Sequence, residues 1–109
     1  MMESREYLNS LFDIYKELLT ITEQVAFSEH FVEDLSMQEI ADIKNISKSS
    51  VGKTVQRASE KLERYEGILH IYKAKKMLEE ALEQDNINDI KEKIKEVLEI
   101  GNWKKVLSK

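Results

Sequence analysis

The sequence predicts an all-α protein, and three observations predict it. Its 109 residues include no proline and only three glycines, too little punctuation for the turns of a sheet. Apolar side chains recur at three- and four-residue steps along most of the chain, the spacing of one helix face. Ser or Thr stands ahead of successive apolar runs, twice with Glu three residues on, the pattern that satisfies unpaired amides at a helix start. A chain of this length buries roughly two-thirds of its unfolded surface, enough for one core.

In residues 5–19, Tyr7, Leu8, Leu11, Phe12, Tyr15, Leu18 and Leu19 form the stripe of a first helix. A second follows over about 22–33, capped by Thr20 with Glu23 or by a slightly later Thr22, and buries some of Val25, Ala26, Phe27, Phe31 and Val32. Ser36 and Glu39 form another capping box and open a short third helix, 37–44. Asn45, tolerant of the left-handed conformation, ends it, and Ser47 caps a fourth helix from residue 48. There Val51, Val55, Ala58, Leu62, Tyr65, Leu69 and Tyr72 alternate steps of four and three. With Ile68, Ile71, Leu78 and Leu82 they predict one helix to about Glu83, a rod of about 50 Å at ~1.5 Å per residue. Such a rod projects or packs against another chain, and Leu62, Tyr65, Leu69, Tyr72, Leu78 and Leu82 are its candidate homodimer contacts. After the turn "QDNIND", a fifth helix is striped by Ile87, Ile90, Ile94, Val97, Leu98 and Ile100 and closed by Gly101, and Trp103 is placed to dock back on the core. The expected organisation is residues 1–66 with the first helices, then 67–109 with the extension of the long helix and a packing helix, the whole treated as one domain with a C-terminal helical hairpin.

Composition excludes several functions. No apolar run approaches the ~18 residues of a membrane span and no signal-peptide stretch opens the chain, so a cytoplasmic protein is expected. With no cysteine and two isolated histidines, His30 and His70, neither a metal nor another cofactor is expected. Glu79, Glu80 and Glu83 lie among lysines and read as solvated pairs, so no catalytic residues and no enzyme are expected. The net charge of −4 hides a strong gradient: residues 1–43 carry 2 basic and 10 acidic side chains, 44–64 carry 6 and 2, and 65–109 carry 9 and 9.

The basic stretch contains "SKSSVGKT", residues 47–54, one glycine short of a phosphate-binding loop. Such a loop follows a buried strand, whereas "IADIKNI" is the end of a helix, and Ser47 lacks glycine's freedom. The segment "SMQEIADIKNISKSSVGKTVQRA" instead has the spacing of a helix-turn-helix. Ile40 and Val51 meet inside its angle, Ala41 is small at the crossing, Asn45 makes the turn, Ile46 plugs it and Val55 continues the buried face. Lys48, Ser49, Ser50, Gly52, Lys53, Thr54, Gln56 and Arg57 are left outward, near a helix N-terminus. Gly52 permits close approach of the helix backbone to DNA or to another helix, or is tolerated at an exposed site, and the sequence leaves both open.

From about Leu19 to Tyr65, the markers "EDLSMQEIA", "NISKSSV" and "RASEKLERYE", with the aromatic-rich "YLNSLFDIY" before them, resemble the YlxM-like family of small bacterial helix-turn-helix proteins. That family is similar in pattern to region four of sigma factors, a winged-helix-like DNA-binding type. The resemblance implies a regulatory protein tied to the signal recognition particle pathway. Gly52 stands where the family usually has a bulky aromatic, and the chain beyond Tyr72 follows none of its motifs.

Two functions follow. In the first, a regulator binds DNA, with Lys48, Lys53 and Arg57 neutralising phosphates while Ser49, Ser50, Thr54 and Gln56 face the bases. In the second, the same fold contacts the signal recognition particle protein or its RNA without binding DNA.

Overall fold

The computed structural model describes residues 4–101 and 103, which are helical with no strand among them. The all-α class and the helix-turn-helix are therefore observed. The chain divides into two compact units, Met1–Arg64 and Tyr65–Lys109.

In the first unit, α1 (Arg5–Tyr15) starts where the Ser4 hydroxyl accepts the Tyr7 amide. It stops four residues before the expected end, because a 3-10 turn over Lys16–Leu18 tightens the chain ahead of the next cap. At Thr20 the capping box closes in both directions: its hydroxyl takes the Glu23 amide and the Glu23 carboxylate takes the Thr20 amide. Helix α2 (Ile21–Phe27) then widens into a π turn, Ser28–Val32. Phe12, Phe27 and Phe31 stack in series with centroids 4.6 and 4.5 Å apart, so α1 and the α2 segment share an aromatic seam.

The carbonyls left at the end of that segment are taken by α1. The Arg5 guanidinium donates to His30 and Phe31 carbonyls, and the Asn9 amide also donates to Phe31. Asp34 leaves in the left-handed region and pairs with Arg5 at 2.8 Å. Ser36 and Glu39 form the second reciprocal box, opening α3 (Met37–Lys44).

The long helix is interrupted. Helix α4 (Lys48–Leu69) ends before His70, which lies at φ 55° and ψ 28°, and α5 (Ile71–Leu82) restarts beyond it. The expected single rod to Glu83 is thus two helices, and Gly67, which could have interrupted it, lies inside α4. A left-handed histidine is tolerated far better than a β-branched residue would be. The buried Glu66 side chain then caps the new helix, accepting the Tyr72 and Lys73 amides at 2.9 and 3.0 Å.

Asn86 caps α6 (Ile87–Gly101), accepting the Asn88 amide at 2.8 Å, and α5 and α6 pack as a hairpin bridged by Lys93 and Glu80 at 3.3 Å. Gly101 lies within the last turn at negative φ rather than in a left-handed exit. Its role is contact: a Cβ there would lie 2.6 Å from carbons of the Trp103 ring, whose indole N–H donates to the Leu69 carbonyl.

Because Glu66 satisfies two amides of α5, Glu66→Ala is expected to destabilise the Tyr65–Lys109 unit by about 1–3 kcal/mol. Glu66→Gln, which keeps one acceptor, is expected to lose less; urea melts followed by Trp103 fluorescence measure both.

Candidate nucleic-acid interface

The candidate surface is positioned by the turn between α3 and α4. Asn45 takes φ 56° and ψ 46°, and the Ile46 amide reaches back to the Ala41 carbonyl at 3.0 Å, closing the helix end. Two residues later the Ser47 hydroxyl accepts the Ser50 amide, so α4 starts almost at once. The short turn fixes the angle at which α4 leaves.

Beneath it, Ile40 and Ala41 of α3 pack with Val51 and Val55 of α4 and Ala26 of α2, all buried. Ile46 is the exception: its side chain is 46% exposed and does not plug the turn, because its part is played by the backbone amide. Phe31, Leu35 and Met37 close the cluster instead.

Two ion pairs brace this core. Lys44 meets Glu29 at 2.9 Å, and Lys61 of α4 meets Glu23 of α2 at 2.9 Å. Glu23 is only 3% exposed. Burial by itself raises its pKa, but the Thr20 amide, the Lys61 ammonium and the Thr20 hydroxyl together outweigh burial and hold the carboxyl below its ordinary 4.5. The capping box and the anchor of α4 therefore share one carboxylate.

With the buried face of α4 set by Val51, Val55, Ala58 and Leu62, the period of 3.6 residues centres Ser49, Lys53, Gln56 and Arg57 on the opposite, solvent side. Lys48 and Ser50 lie on its flanks. Among the described residues none of Lys48, Lys53 and Arg57 forms an ion pair, whereas Lys44 and Lys61 from the same basic stretch are engaged. Thr54 differs from its neighbours: it is half-buried and its hydroxyl donates to the Ser50 carbonyl, leaving it able only to accept. Arg64, exposed and seven residues after Arg57, lies on the same side but beyond the basic face; that two-turn spacing was its signal in the sequence. Glu60 and Glu63 intervene, so the continuous basic surface spans about ten residues, roughly 15 Å. The amides of the first turn add a partial positive charge at its leading end.

Of the candidate dimer contacts, Leu62 is fully buried and cannot meet a second chain, since it continues the core stripe of α4. Tyr65, Leu69 and Tyr72 are half-buried, while Leu78 and Leu82 are exposed.

A family model, UPF0122, described as "Putative helix-turn-helix protein, YlxM / p13 like", matches residues 2–101. Among similar proteins, a UPF0122 protein of Mycoplasma capricolum subsp. capricolum is 38% identical over 106 residues, covering 95% of this chain and 94% of its own. One of Ureaplasma parvum serovar 3 is 36% identical over 93 residues, 85% of this chain and 94% of its own. A third, of Listeria innocua serovar 6a, is 34% identical over 104 residues, 91% of this chain and 94% of its own. The chain belongs to the UPF0122 family.

Two outcomes follow from this geometry. A folded carboxyl below 4.5 gives stability that is fully present above that pH and lost as pH falls through the lowered value. Urea melts run from neutral to acid should therefore show the stability gap between the parent and Glu23→Gln closing on the acid side. At Gly52 a Cβ would meet nothing within 4 Å. Gly52→Ala is accordingly expected to stabilise the fold by about 1 kcal/mol, read as a higher melting temperature.

Proposed function

We propose that this UPF0122 protein is a non-enzymatic regulator that binds double-stranded DNA, with the solvent face of α4 as its reading surface. One observation carries the proposal: Lys48, Lys53 and Arg57, free of ion pairs among the described residues, surround short polar side chains on a helix buried along its opposite side. Arg57 and the lysines serve the phosphates, while Ser49, Ser50 and Gln56 are short enough to let the helix lie close to base edges. Gln56 supplies the bidentate donor–acceptor pair that suits adenine. Thr54 contributes an acceptor only, its donor being spent on the helix.

The acidic residues 1–43 oppose binding elsewhere on the first unit and so restrict DNA to α4. On this reading a part in the signal recognition particle pathway runs through gene regulation rather than through contact with the particle.

Salt dependence tests the proposal. Three phosphate contacts predict a slope of log K against log salt of about −2.7 for each reading helix, and Lys53→Ala should flatten it by about 0.9. Gln56→Ala should leave the slope in place and relax preference at one base pair by about 1–3 kcal/mol. The absence of duplex binding at low salt, or stronger binding to the particle's RNA than to any duplex, would overturn it.

A further inference from the structure

The hairpin of α5 and α6 cannot be a finished core. Its buried apolar side chains, among the described residues, are Ala74, Ala81 and Val97, far less than a helical unit needs for independent stability. Each helix also exposes a second stripe beside the one facing its neighbour. On α5 these are Ile71, Leu78 and Leu82, 39%, 43% and 87% exposed; on α6 they are Ile87, Ile94 and Leu98, 62%, 43% and 64% exposed. Taken with the helical period and the opposite directions of a hairpin's two helices, both stripes fall on one side. The result is an apolar face two helices wide, half of a four-helix bundle. A groove of about 610 Å³ between Leu69, Ile71, Leu78, Leu82 and Trp103 lies along it.

Charge along α5 says what covers this face. Its first half carries Lys73, Lys75 and Lys76 with no acid, and its second half, with the residue after it, carries Glu79, Glu80 and Glu83 with no base. Such a helix is complementary to itself when reversed. We propose that the face is covered by a second copy of this chain, with α5 packed antiparallel on α5 of its partner about a two-fold axis. In antiparallel packing the same edge of each helix meets its own copy, so Lys75 and Glu79, both at the groove, meet Glu79 and Lys75 across the axis. A parallel pair would instead set lysines on lysines. The pair at 3.9 Å that Glu79 makes with Lys76 is exposed and yields readily to a better partner.

The proposal differs from the dimer read from heptads, which included the buried Leu62, and it is independent of DNA binding. Light scattering on the free protein should give twice the chain mass of 12.8 kDa. Leu78→Asp should halve that mass with helicity by circular dichroism retained. Two charge variants form the sharper test: Lys75→Glu with Lys76→Glu, and Glu79→Lys with Glu83→Lys. Each alone should be a monomer and their mixture a heterodimer. The chain has no cysteine, so cross-linking reports direction: Ile71→Cys with Leu82→Cys in one chain should give a covalent dimer on oxidation, and either alone none. A monomeric parent, a dimer indifferent to Leu78→Asp and to the charge variants, or efficient cross-linking by a single cysteine would overturn the proposal.

Discussion

The direction of α4 and the break that follows it are set without glycine or proline, at three left-handed residues that close helix ends. Asp34, Asn45 and His70 are the described residues at positive φ, and no glycine joins them. Asn, Asp and His are the side chains that bear this conformation at least cost, and each stands at a helix end here. At Asp34 and Asn45 the following amide bonds back to a carbonyl five and four residues before the turn residue: Leu35 to Glu29, Ile46 to Ala41. Those two closures bound α3 on both sides and so set the direction of α4. The solvent face of α4 inherits its aim from Asn45.

A turn so short leaves little chain for satisfying the amides of the next helix, and side-chain oxygens do it: Ser4, Thr20, Ser36, Ser47 and Asn86 each accept from an amide within the first turn. Glu23 and Glu66 extend the device. Glu23 closes a cap and anchors α4 through Lys61, while Glu66 caps α5 from the preceding helix. Both carboxylates are buried, a position that is tolerable because their partners are positive or are amides.

Much of this was legible because local chemistry announces itself locally. The boxes at Thr20 and Ser36, the turn at Asn45 and the cap at Ser47 are spacings within four residues, and the buried side of α4 is a period. The break at His70 had no such sign. The apolar rhythm runs straight through it, and the Glu66 cap acts over six and seven residues, outside any capping box. Ile46 misled for a related reason: apolar type indicated a plug, but the fold uses its amide. Leu62 stood among the dimer candidates beside Leu78 and Leu82, and only packing separates the buried leucine from the exposed ones. The basic face was visible in charge alone, although which cations were already engaged, Lys44 and Lys61, required the positions of Glu29 and Glu23.

Recognition of a duplex through α4 is the central claim. Amide chemical-shift mapping during titration with duplex DNA tests it most directly, since every residue of the helix reports for itself. Shifts centred on Lys48 to Arg57, with Ser49, Lys53 and Gln56 largest, are the predicted result. Shifts centred instead on the acidic residues 1–43 or on the α5–α6 hairpin, or none at low salt, would contradict it.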